Sequence, residues 1–381
     1  MKYALLLHLF LIGVTTYAQT VSTLVSTNVG DDLHFGADGY LYSSIYGGNH
    51  FRKTDPSTGQ VDTILTVNDH TIGAIELDEA LNIYTCSYDN GWVGRFTEGA
   101  SSIAPLTTGL FGPAGITHDS SGNLYVATNQ NHSIIKIAPD GQKEVYVSGA
   151  PLFWPTGITI DSYGTLFVAN MFSGQIVKIA PNQQMEVLVT LPAVLDQEPD
   201  VAYLTWKNDK LFVCHFGDHV IYQIDPETGD AAIIAGTGTA GNVDGPALEA
   251  SFEHPVGIAA SASGDTLFVT DGEAPNQRLR IIELGTVSQR EIVENSTLVA
   301  HQLFPDPADD KITLNFSLQK PATLSFQIVD LNGKAHFSSE TKVFPEGKST
   351  ETFDLSLLSD GTWILVAKSR FFSKSFKFVK G

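Results

Sequence analysis

Apolar and polar positions alternate over short runs through most of this chain, and turn residues separate the runs. An apolar triplet recurs six times, with first residues Leu41, Ile83, Leu124, Leu166, Leu211 and Leu267. Successive triplets begin 42, 41, 42, 45 and 56 residues apart. A period of roughly 40–45 residues with four short strands is typical of one propeller blade, and such a unit must bury its apolar face against its neighbour.

Within one repeat, the pattern predicts four antiparallel strands. In the third repeat these are Gly115–His118, Leu124–Thr128, Ser133–Ala138 and Glu144–Ser148. Asp and Gly stand between the runs, where tight turns favour them. The runs are rich in Val, Ile, Tyr, Phe and Thr, and no unit holds a long amphipathic helical pattern. The sequence therefore predicts an all-β chain built around a six-bladed β-propeller.

The two ends of the repeated region predict how the ring closes. The last repeat offers a third strand at Leu279–Leu284 but no clear fourth strand. The strand-like run Thr20–Ser26 stands before the first repeat. We expect this run to supply the outer strand of the last blade, because that pairing covers an otherwise open sheet edge.

Composition divides the chain into four segments. Residues 1–18 have a positive start, a short apolar core and a small-x-small end, the pattern of a cleaved secretory signal peptide rather than a membrane span. Residues 19–285 hold the predicted propeller, and residues 286–300 form a linker. Residues 301–381 alternate apolar and polar positions between Pro, Gly and Asn turns, which predicts a small Ig-like β-sandwich.

Charge changes at the same boundary. The whole chain has a formal net charge of −20, of which residues 19–300 carry −22 and residues 301–381 carry +1. So acidic a propeller repels nucleic acid and anionic membranes, and it is typical of a soluble exported protein. We therefore expect no nucleic-acid partner and no transmembrane segment.

The two cysteines are expected to be buried free thiols. Cys86 and Cys214 each lie one residue past a triplet, in the second and fifth repeats. Those repeats face each other across a six-membered ring, whereas a disulfide needs Cα atoms roughly 4.4–6.8 Å apart.

The residues that line the central channel are the main candidates for chemistry. One ring of candidates lies in the turns before the inner strands, and a second ring lies two residues past each triplet. The candidates taken from these rings are Asp31, Thr156, Asn170, Asp200, His215 and Asp271. Asp31 and Asp200 offer carboxylates suited to Ca²⁺ or another divalent cation. The alternative is that both cap turns or line a wet channel.

The repeats resemble NHL-type six-bladed propellers. The resemblance is carried by the PxGI turns at Pro113, Pro155 and Pro255, by the D-x-x-G-x-L-[YF]-V-A runs, and by AGTGTAGNVDGPALEASF from Ala235 to Phe252. It covers nearly all of residues 20–285. It implies the fold and leaves the activity open, because one fold hosts unrelated activities.

The C-terminal segment resembles the sorting domain of type IX secretion cargo from Bacteroidetes. The matching elements are LFPDP from Leu303, DLNGK from Asp330, LSDGTW from Leu358 and the ending KFVK. The resemblance implies contact with the type IX machinery, export to the outside or to the outer-membrane surface, and removal of the domain. The sorting-signal residues that it implies are Pro305, Pro307, Gly333, Lys334, Gly361, Lys377 and Lys380.

The channel candidates can also be set beside sugar lactonases of the gluconolactonase family, which the propeller distantly resembles. Those enzymes hold a divalent metal on the axis with a Glu, an Asn and an Asp at such turns. Asp200 matches the Asp and Asp31 stands near the Glu, but Thr156 takes the place of the Asn. Peptide-amidating lyases place His in comparable turns, and this chain has none there.

Two hypotheses of different class follow, and whether the chain is an enzyme stays open. In the first, a secreted or cell-surface propeller binds a polymer, a protein or a small molecule at a loop face, where Trp92 and Trp154 are able to stack on a sugar or a peptide. In the second, a metal-dependent sugar lactonase or hydrolase uses the channel. A channel plugged by apolar side chains favours the first, and a channel that holds a metal on at least three protein oxygen ligands favours the second.

Overall fold

The computed structural model describes residues 19–26, 29–46, 48–69, 72–192, 200–272, 277–284, 298–305, 307–318, 321–330, 335–369 and 372–381. The secondary structure of these residues is β, with one short 3-10 helix at Asn129–Asn131. The prediction of an all-β chain is confirmed.

After the N-terminal strand β1 (Thr20–Val25), four antiparallel sheets of one design follow along the chain, each with its strands hydrogen-bonded in chain order. Sheet 1 contains β2 (Asp32–Phe35), β3 (Leu41–Ser44), β4 (His50–Thr54) and β5 (Val61–Thr66). Sheet 2 contains β6 (Ile72–Leu77), β7 (Ile83–Ser87), β8 (Trp92–Phe96) and β9 (Ala104–Thr108). Sheet 3 contains β10 (Pro113–His118), β11 (Leu124–Thr128), β12 (Ser133–Ile137) and β13 (Lys143–Ser148). Sheet 4 contains β14 (Pro155–Ile160), β15 (Leu166–Asn170), β16 (Gln175–Ile179) and β17 (Met185–Thr190).

Two further sheets depart from this design at their outer edges. Sheet 5 contains β18 (Val201–Lys207), β19 (Lys210–His215), β20 (Val220–Ile224) and β21 (Ala231–Ala235). A two-residue strand, β22 (Gly245–Pro246), lies in the long insertion that follows. Sheet 6 contains β23 (Ile258–Ala260), β24 (Thr266–Asp271) and β25 (Arg278–Glu283), and β1 and then β22 complete it.

The inner strands of these six sheets contact one another in a cyclic order. The strand β2 contacts β6, and the contacts continue through β10, β14, β18 and β23, which returns to β2. Multiple four-stranded sheets in this arrangement are consistent with a β-propeller. Six apolar layers fill the spaces between neighbouring sheets, and the layer between sheets 6 and 1, around Leu33, Leu41 and Phe268, completes the circle.

Neighbouring sheets touch most closely at one end. We call it the entry end, where each inner strand begins and, because the strands are antiparallel, the second strand finishes. There a side chain at the end of a second strand donates a hydrogen bond to a backbone carbonyl of the next sheet. These pairs are Ser44 Oγ to Gly73, Cys86 Sγ to Pro113 at 3.2 Å, Cys214 Sγ to Gly257 at 3.7 Å and Thr270 Oγ1 to Asp31 at 2.7 Å. Both thiols are free and buried, as predicted.

Glycine is required where the sheets touch. A Cβ added at Gly157 would lie closer than 3.0 Å to Ala202 O, Tyr203 Cα and Leu204 Cδ2 of sheet 5. An added Cβ at Gly115 or Gly257 would meet a carbonyl oxygen of the next sheet even more closely. The glycine of the PxGI turns therefore admits the neighbouring backbone, which explains why those turns recur.

The N-terminal strand joins sheet 6 as its fourth strand. Residues Thr20–Val25 pair antiparallel with β25, as the sequence predicted for this run. The Arg280 guanidinium is fully buried beside them and bonds Asp271 at 2.7 Å and Asp244 at 2.8 Å. Asp244 also accepts from the backbone and the hydroxyl of Thr23, each at 3.0 Å. One buried cation thus ties the N-terminal strand, the long insertion and sheet 6 together.

The C-terminal segment folds around a separate apolar core. Its strands are β26 (Leu298–Phe304), β27 (Lys311–Leu318), β28 (Ala322–Val329), β29 (Ala335–Ser338), β30 (Lys342–Phe344), β31 (Gly347–Asp354), β32 (Gly361–Lys368) and β33 (Phe372–Lys380). One sheet has the order β26-β27-β31, and a second has the order β33-β32-β28-β29. The core between them includes Phe316, Phe326 and Trp363.

The sorting-signal residues occupy two kinds of position. Lys380 is buried, and its Nζ donates to the carbonyls of Leu355 at 2.9 Å and Leu358 at 2.7 Å, so it closes the end of the core. Exposed positions are held by Pro305, Pro307, Gly361 and Lys377. Gly333 and Lys334 lie outside the described residues.

We expect loss of β1 to destabilise the propeller strongly. A chain that begins at Asn28 leaves the edge of sheet 6 open and removes the buried side chains of Val21 and Val25. Each such side chain contributes about 1.5–3 kcal/mol when buried. The melting temperature should therefore fall well below that of a chain that begins at Gln19. As a control, Thr23→Val in the longer chain removes one hydroxyl bond and should cost only about 1 kcal/mol. Equal melting of the two chain lengths would show that β1 does not close the ring.

Candidate functional site

The six channel candidates all lie at the entry end of the sheets, where the sequence placed them. Asp31 and Thr156 stand at the beginning of inner strands, and Asp200 directly precedes β18. Asn170, His215 and Asp271 finish second strands. The side-chain contacts of Asp31, Thr156, Asn170, His215 and Asp271 show that these five hold or accept protein groups.

Both carboxylate oxygens of Asp31 are engaged by the protein. Oδ2 accepts from the backbone N–H of Tyr46 at 2.5 Å, and Oδ1 accepts from the Gln277 side chain. Burial raises the pKa of Asp31 to about 6, against these hydrogen bonds, which lower it. These two hydrogen bonds tie the Asp31 side chain to the loop of sheet 1 and to Gln277.

The candidates include no cluster of three acidic, histidine or cysteine ligands. Among the residues that the structure describes, no three His, Cys, Asp or Glu side chains are placed to share a metal ion. Thr156, which takes the place of an Asn ligand in the lactonase hypothesis, directs its hydroxyl to the carbonyl of Trp154 at 3.2 Å. The metal role of Asp31 and Asp200 stays a prediction.

Asn170 and Asp271 anchor loops in the same way in two sheets. Asn170 Oδ1 accepts from the backbone N–H of Phe153 at 3.0 Å. Asp271 Oδ1 accepts from the backbone N–H of Glu253 at 2.5 Å. Phe153 and Glu253 each stand two positions before a proline, at Pro155 and Pro255. Pro155 begins an inner strand, and Pro255 lies in the turn before one. Both candidates thus fix the shape of an entry loop.

His215 is buried and neutral. Its side chain is fully buried, and its Nδ1 accepts from the backbone N–H of Asp218 at 3.3 Å. Burial lowers the pKa of His215 to about 4, and the nearby His219 adds to the effect. His215 is therefore a structural histidine of sheet 5 at neutral pH.

Tyr203 narrows the channel. It lies on the inner strand of sheet 5, and its hydroxyl donates to the carbonyl of Ala114, on the inner strand of sheet 3, at 3.1 Å. Sheet 4 stands between those two sheets, so the ring of Tyr203 spans part of the channel. Its side chain also packs against the apolar layers on both sides. Tyr203 thus occupies part of the channel on the entry side.

Exposed aromatic side chains stand on the entry loops instead. Four of them are Tyr46, Phe111, Phe153 and Phe172, with 53%, 60%, 47% and 46% of their surface exposed. Together with the half-buried Trp154 they make up the entry aromatic surface. They come from the loops of sheets 1 to 4, so the surface follows the ring over several sheets. Apolar side chains this exposed are typical of interaction sites when they cluster.

Ring contacts hold this surface in shape. The Trp154 ring lies edge-on to Phe172 at 5.5 Å, and Phe153 stacks on His132 at 5.5 Å. The Tyr46 ring lies edge-on to Tyr88 at 5.9 Å. Such offset and edge-on pairs are favourable for aromatic rings. These contacts hold Trp154, Phe172, Phe153 and Tyr46 in place.

Two histidines in left-handed backbone conformation fix entry loops, and the first of them holds the loop that carries Phe153 and Trp154. His132 has φ +52° and accepts the N–H of Trp154 on Nδ1 at 3.1 Å. His219 has φ +58° and accepts the N–H of His254 in the same way, also at 3.1 Å. Both acceptors must be unprotonated at Nδ1. In both cases a histidine in the turn after a second strand accepts the backbone N–H of the residue that precedes a proline.

The sequence analysis found Trp154 and missed most of the surface around it. Phe111, Phe153 and Phe172 lie in loops where no residue type recurs between repeats. Comparison of the repeats therefore gave no signal for them. Their position relative to the PxGI turns was the available clue, because residues just before those turns must lie at the entry end. Trp92, the other candidate for stacking, is half-buried, and its Nε1 donates to Asp69 at 3.1 Å.

Residues 302–380 match the family described as the secretion system C-terminal sorting domain. The tail directs type IX export to the cell surface or the outside, as the sequence predicted. Within the described residues, no helix is long and apolar enough to cross a membrane.

The remaining comparisons concern the repeats. NHL repeat-containing protein 2 from Bos taurus is 31% identical over 86 residues, which is 22% of this chain and 12% of that protein. The chain therefore matches only a small part of this relative.

The structural neighbours are propeller proteins. An auxiliary nutrient binding protein from Bacteroides ovatus has a TM-score of 0.59 at 18% identity, over 70% of this chain and 76% of its own. A gluconolactonase from Xanthomonas campestris has a TM-score of 0.54 at 15% identity, over 69% and 89%. At these identities the likeness shows the fold alone.

We expect His215 to make the fold sensitive to acid. The pKa of His215 is about 4 in the folded chain and 6.5 in the unfolded chain. Between these pH values the unfolded state is protonated at His215 and the folded state is not, which favours unfolding. The contribution of neutral His215 to the free energy of unfolding is complete above pH 6.5. As the pH falls to 4, the free energy of unfolding decreases by about 3 kcal/mol. Denaturant unfolding of the wild type and of His215→Gln at several pH values measures the difference.

The variant should lose less stability over this window than the wild type. His50→Gln, at a half-buried position of β4, is the matched control and should keep the wild-type slope. Identical slopes for His215→Gln and the wild type would mean that His215 takes up its proton at the same pH in the folded chain as in the unfolded chain.

Proposed function

We propose that this chain is an exported six-bladed β-propeller that binds a neutral glycan at its entry aromatic surface. In this proposal residues 1–18 are a signal peptide, residues 19–285 form the propeller, residues 286–300 form a linker, and residues 301–381 form an Ig-like sorting domain. The cyclic contacts of the inner strands and the cyclic apolar layers support the six-bladed ring.

The observation that carries the proposal is the ordered, exposed set of rings on the entry loops. Phe111 and Phe172 are 60% and 46% exposed. Contact of these apolar rings with water is unfavourable unless a partner covers them. Aromatic faces bind the C–H faces of sugar rings, and they lose little conformational entropy because each side chain has two torsions. Rings distributed over several entry loops suit an extended ligand better than a compact one.

Charge selects the kind of glycan. Residues 19–300 carry a net charge of −22, and the exposed side chains of Asp89 and Glu253 lie on entry loops. A polyanionic glycan would meet long-range repulsion, whereas a neutral one would not. The role printed for the Bacteroides ovatus neighbour, auxiliary nutrient binding, agrees in kind with an exported binding protein.

Affinity electrophoresis of the full chain in gels containing laminarin, dextran or soluble starch tests the proposal. At least one of these neutral glycans should retard migration, and polygalacturonate should not. The double variant Phe111→Ala/Phe172→Ala should weaken binding about tenfold or more, the equivalent of at least about 1.4 kcal/mol.

Tyr163→Ala is the matched control for the aromatic variant. Tyr163 is 79% exposed but stands in the turn between the inner and second strands of sheet 4, away from the entry end. Its removal should leave migration unchanged. The proposal fails if none of the neutral glycans binds, or if Tyr163→Ala weakens binding as much as the double variant.

A further inference from the structure

A cavity of about 300 Å³ lies in the channel, apart from the entry aromatic surface. All six inner strands line it. The lining runs from Asp32 and Tyr203, near the beginnings of their strands, to His118 and Lys207, at the ends of theirs. It thus extends toward the end where the inner strands finish, with Tyr203 among the groups on the entry side. A volume near 300 Å³ is at the small end of ligand pockets, which suits a ligand smaller than a typical drug.

One wall of the cavity holds a carboxylate between two imidazoles. Glu76 Oε2 lies 2.9 Å from His34 Nδ1, and Glu76 Oε1 lies 2.7 Å from His118 Nδ1. The three residues come from the inner strands of sheets 1, 2 and 3. About a quarter of each histidine side chain is exposed, at 26% and 25%, so both reach solvent or a ligand.

The opposite wall is formed by the end of β18. Trp206 and Lys207 both line the cavity and are half-buried. The backbone of Trp206 is held by a hydrogen bond to Thr159 Oγ1 at 3.3 Å. Lys207 forms no ion pair with any residue that the structure describes, although the surrounding propeller is strongly acidic. An ammonium without an acidic partner on the cavity wall is a suitable receptor for an anion.

The charge balance inside the cavity is positive at mildly acidic pH. Burial opposes ionisation of Glu76, but the two histidines outweigh it and lower its pKa to about 2, so Glu76 is an anion. The hydrogen bond to Glu76 raises the pKa of His118, with further support from Asp78 and Asp119. Burial raises the pKa of Asp32 to about 7, so Asp32 is largely neutral below that pH.

We propose that this cavity binds a small organic carboxylate. Its carboxylate is bound by Lys207 and by the histidine pair. Glu76 holds His34 and His118 in position. Lys207, His34, Glu76 and His118 come from four different sheets, so the site exists only in the closed ring. It lies at the other end of the channel from the glycan surface and is independent of it.

Isothermal titration calorimetry of the full chain at about pH 6 tests the proposal with benzoate and benzamide, which share a ring and differ in charge. Benzoate should bind saturably with a Kd on the order of 1 mM or tighter, and benzamide should bind at least about tenfold more weakly. Lys207→Met should weaken benzoate binding about tenfold and leave benzamide unchanged.

Lys210→Met is the matched control, because Lys210 pairs with Asp225 at 2.7 Å and does not line the cavity. It should bind benzoate as the wild type does. If Lys207→Met does not fold, His118→Gln provides the second variant and should also weaken benzoate selectively. Equal affinity for benzoate and benzamide, equal effects of the two lysine variants, or no saturable binding of benzoate at about 10 mM overturns the proposal.

Discussion

The close approach of neighbouring sheets at the entry end is the contact on which the rest of this structure depends. Each sheet has two apolar faces and cannot be stable alone, so its burial requires a neighbour on either side. At the entry end the backbones approach until only glycine fits, as at Gly157 against Ala202 to Leu204. Ser44, Cys86, Cys214 and Thr270 add hydrogen bonds to the next sheet at equivalent positions.

This contact also shapes the two proposed sites. With the inner strands drawn together, Tyr203 reaches from sheet 5 to Ala114 of sheet 3 and narrows the channel. The polar residues at the entry end are then used to hold loops, as Asn170 and Asp271 do. What remains for a partner is the aromatic side chains that those loops carry, and the cavity beyond Tyr203.

The parts of the structure that repeat were predictable from the sequence, and the parts that differ between repeats were not. The triplets and PxGI turns predicted the strands, the N-terminal strand in sheet 6, and the buried thiols of Cys86 and Cys214. The roles of Asn170 and Asp271 depend on which backbone N–H each oxygen meets, which no spacing reveals. His34, Glu76 and His118 each stand at or near the last residue of an inner strand, so an alignment of the repeats contained the signal. Their three-way contact depends on the distances between sheets.

The most direct test of the entry-end contact is the free energy of unfolding of Gly157→Ala beside Gly149→Ala. Gly149 has φ +80° and no atom within 4 Å of an added Cβ, so alanine there should cost only backbone strain, about 1 kcal/mol. At Gly157 the added Cβ meets three atoms of sheet 5, and we expect a loss of about 3 kcal/mol or more. A Gly157→Ala chain that is as stable as Gly149→Ala would contradict the close packing from which the ring and both proposed sites follow.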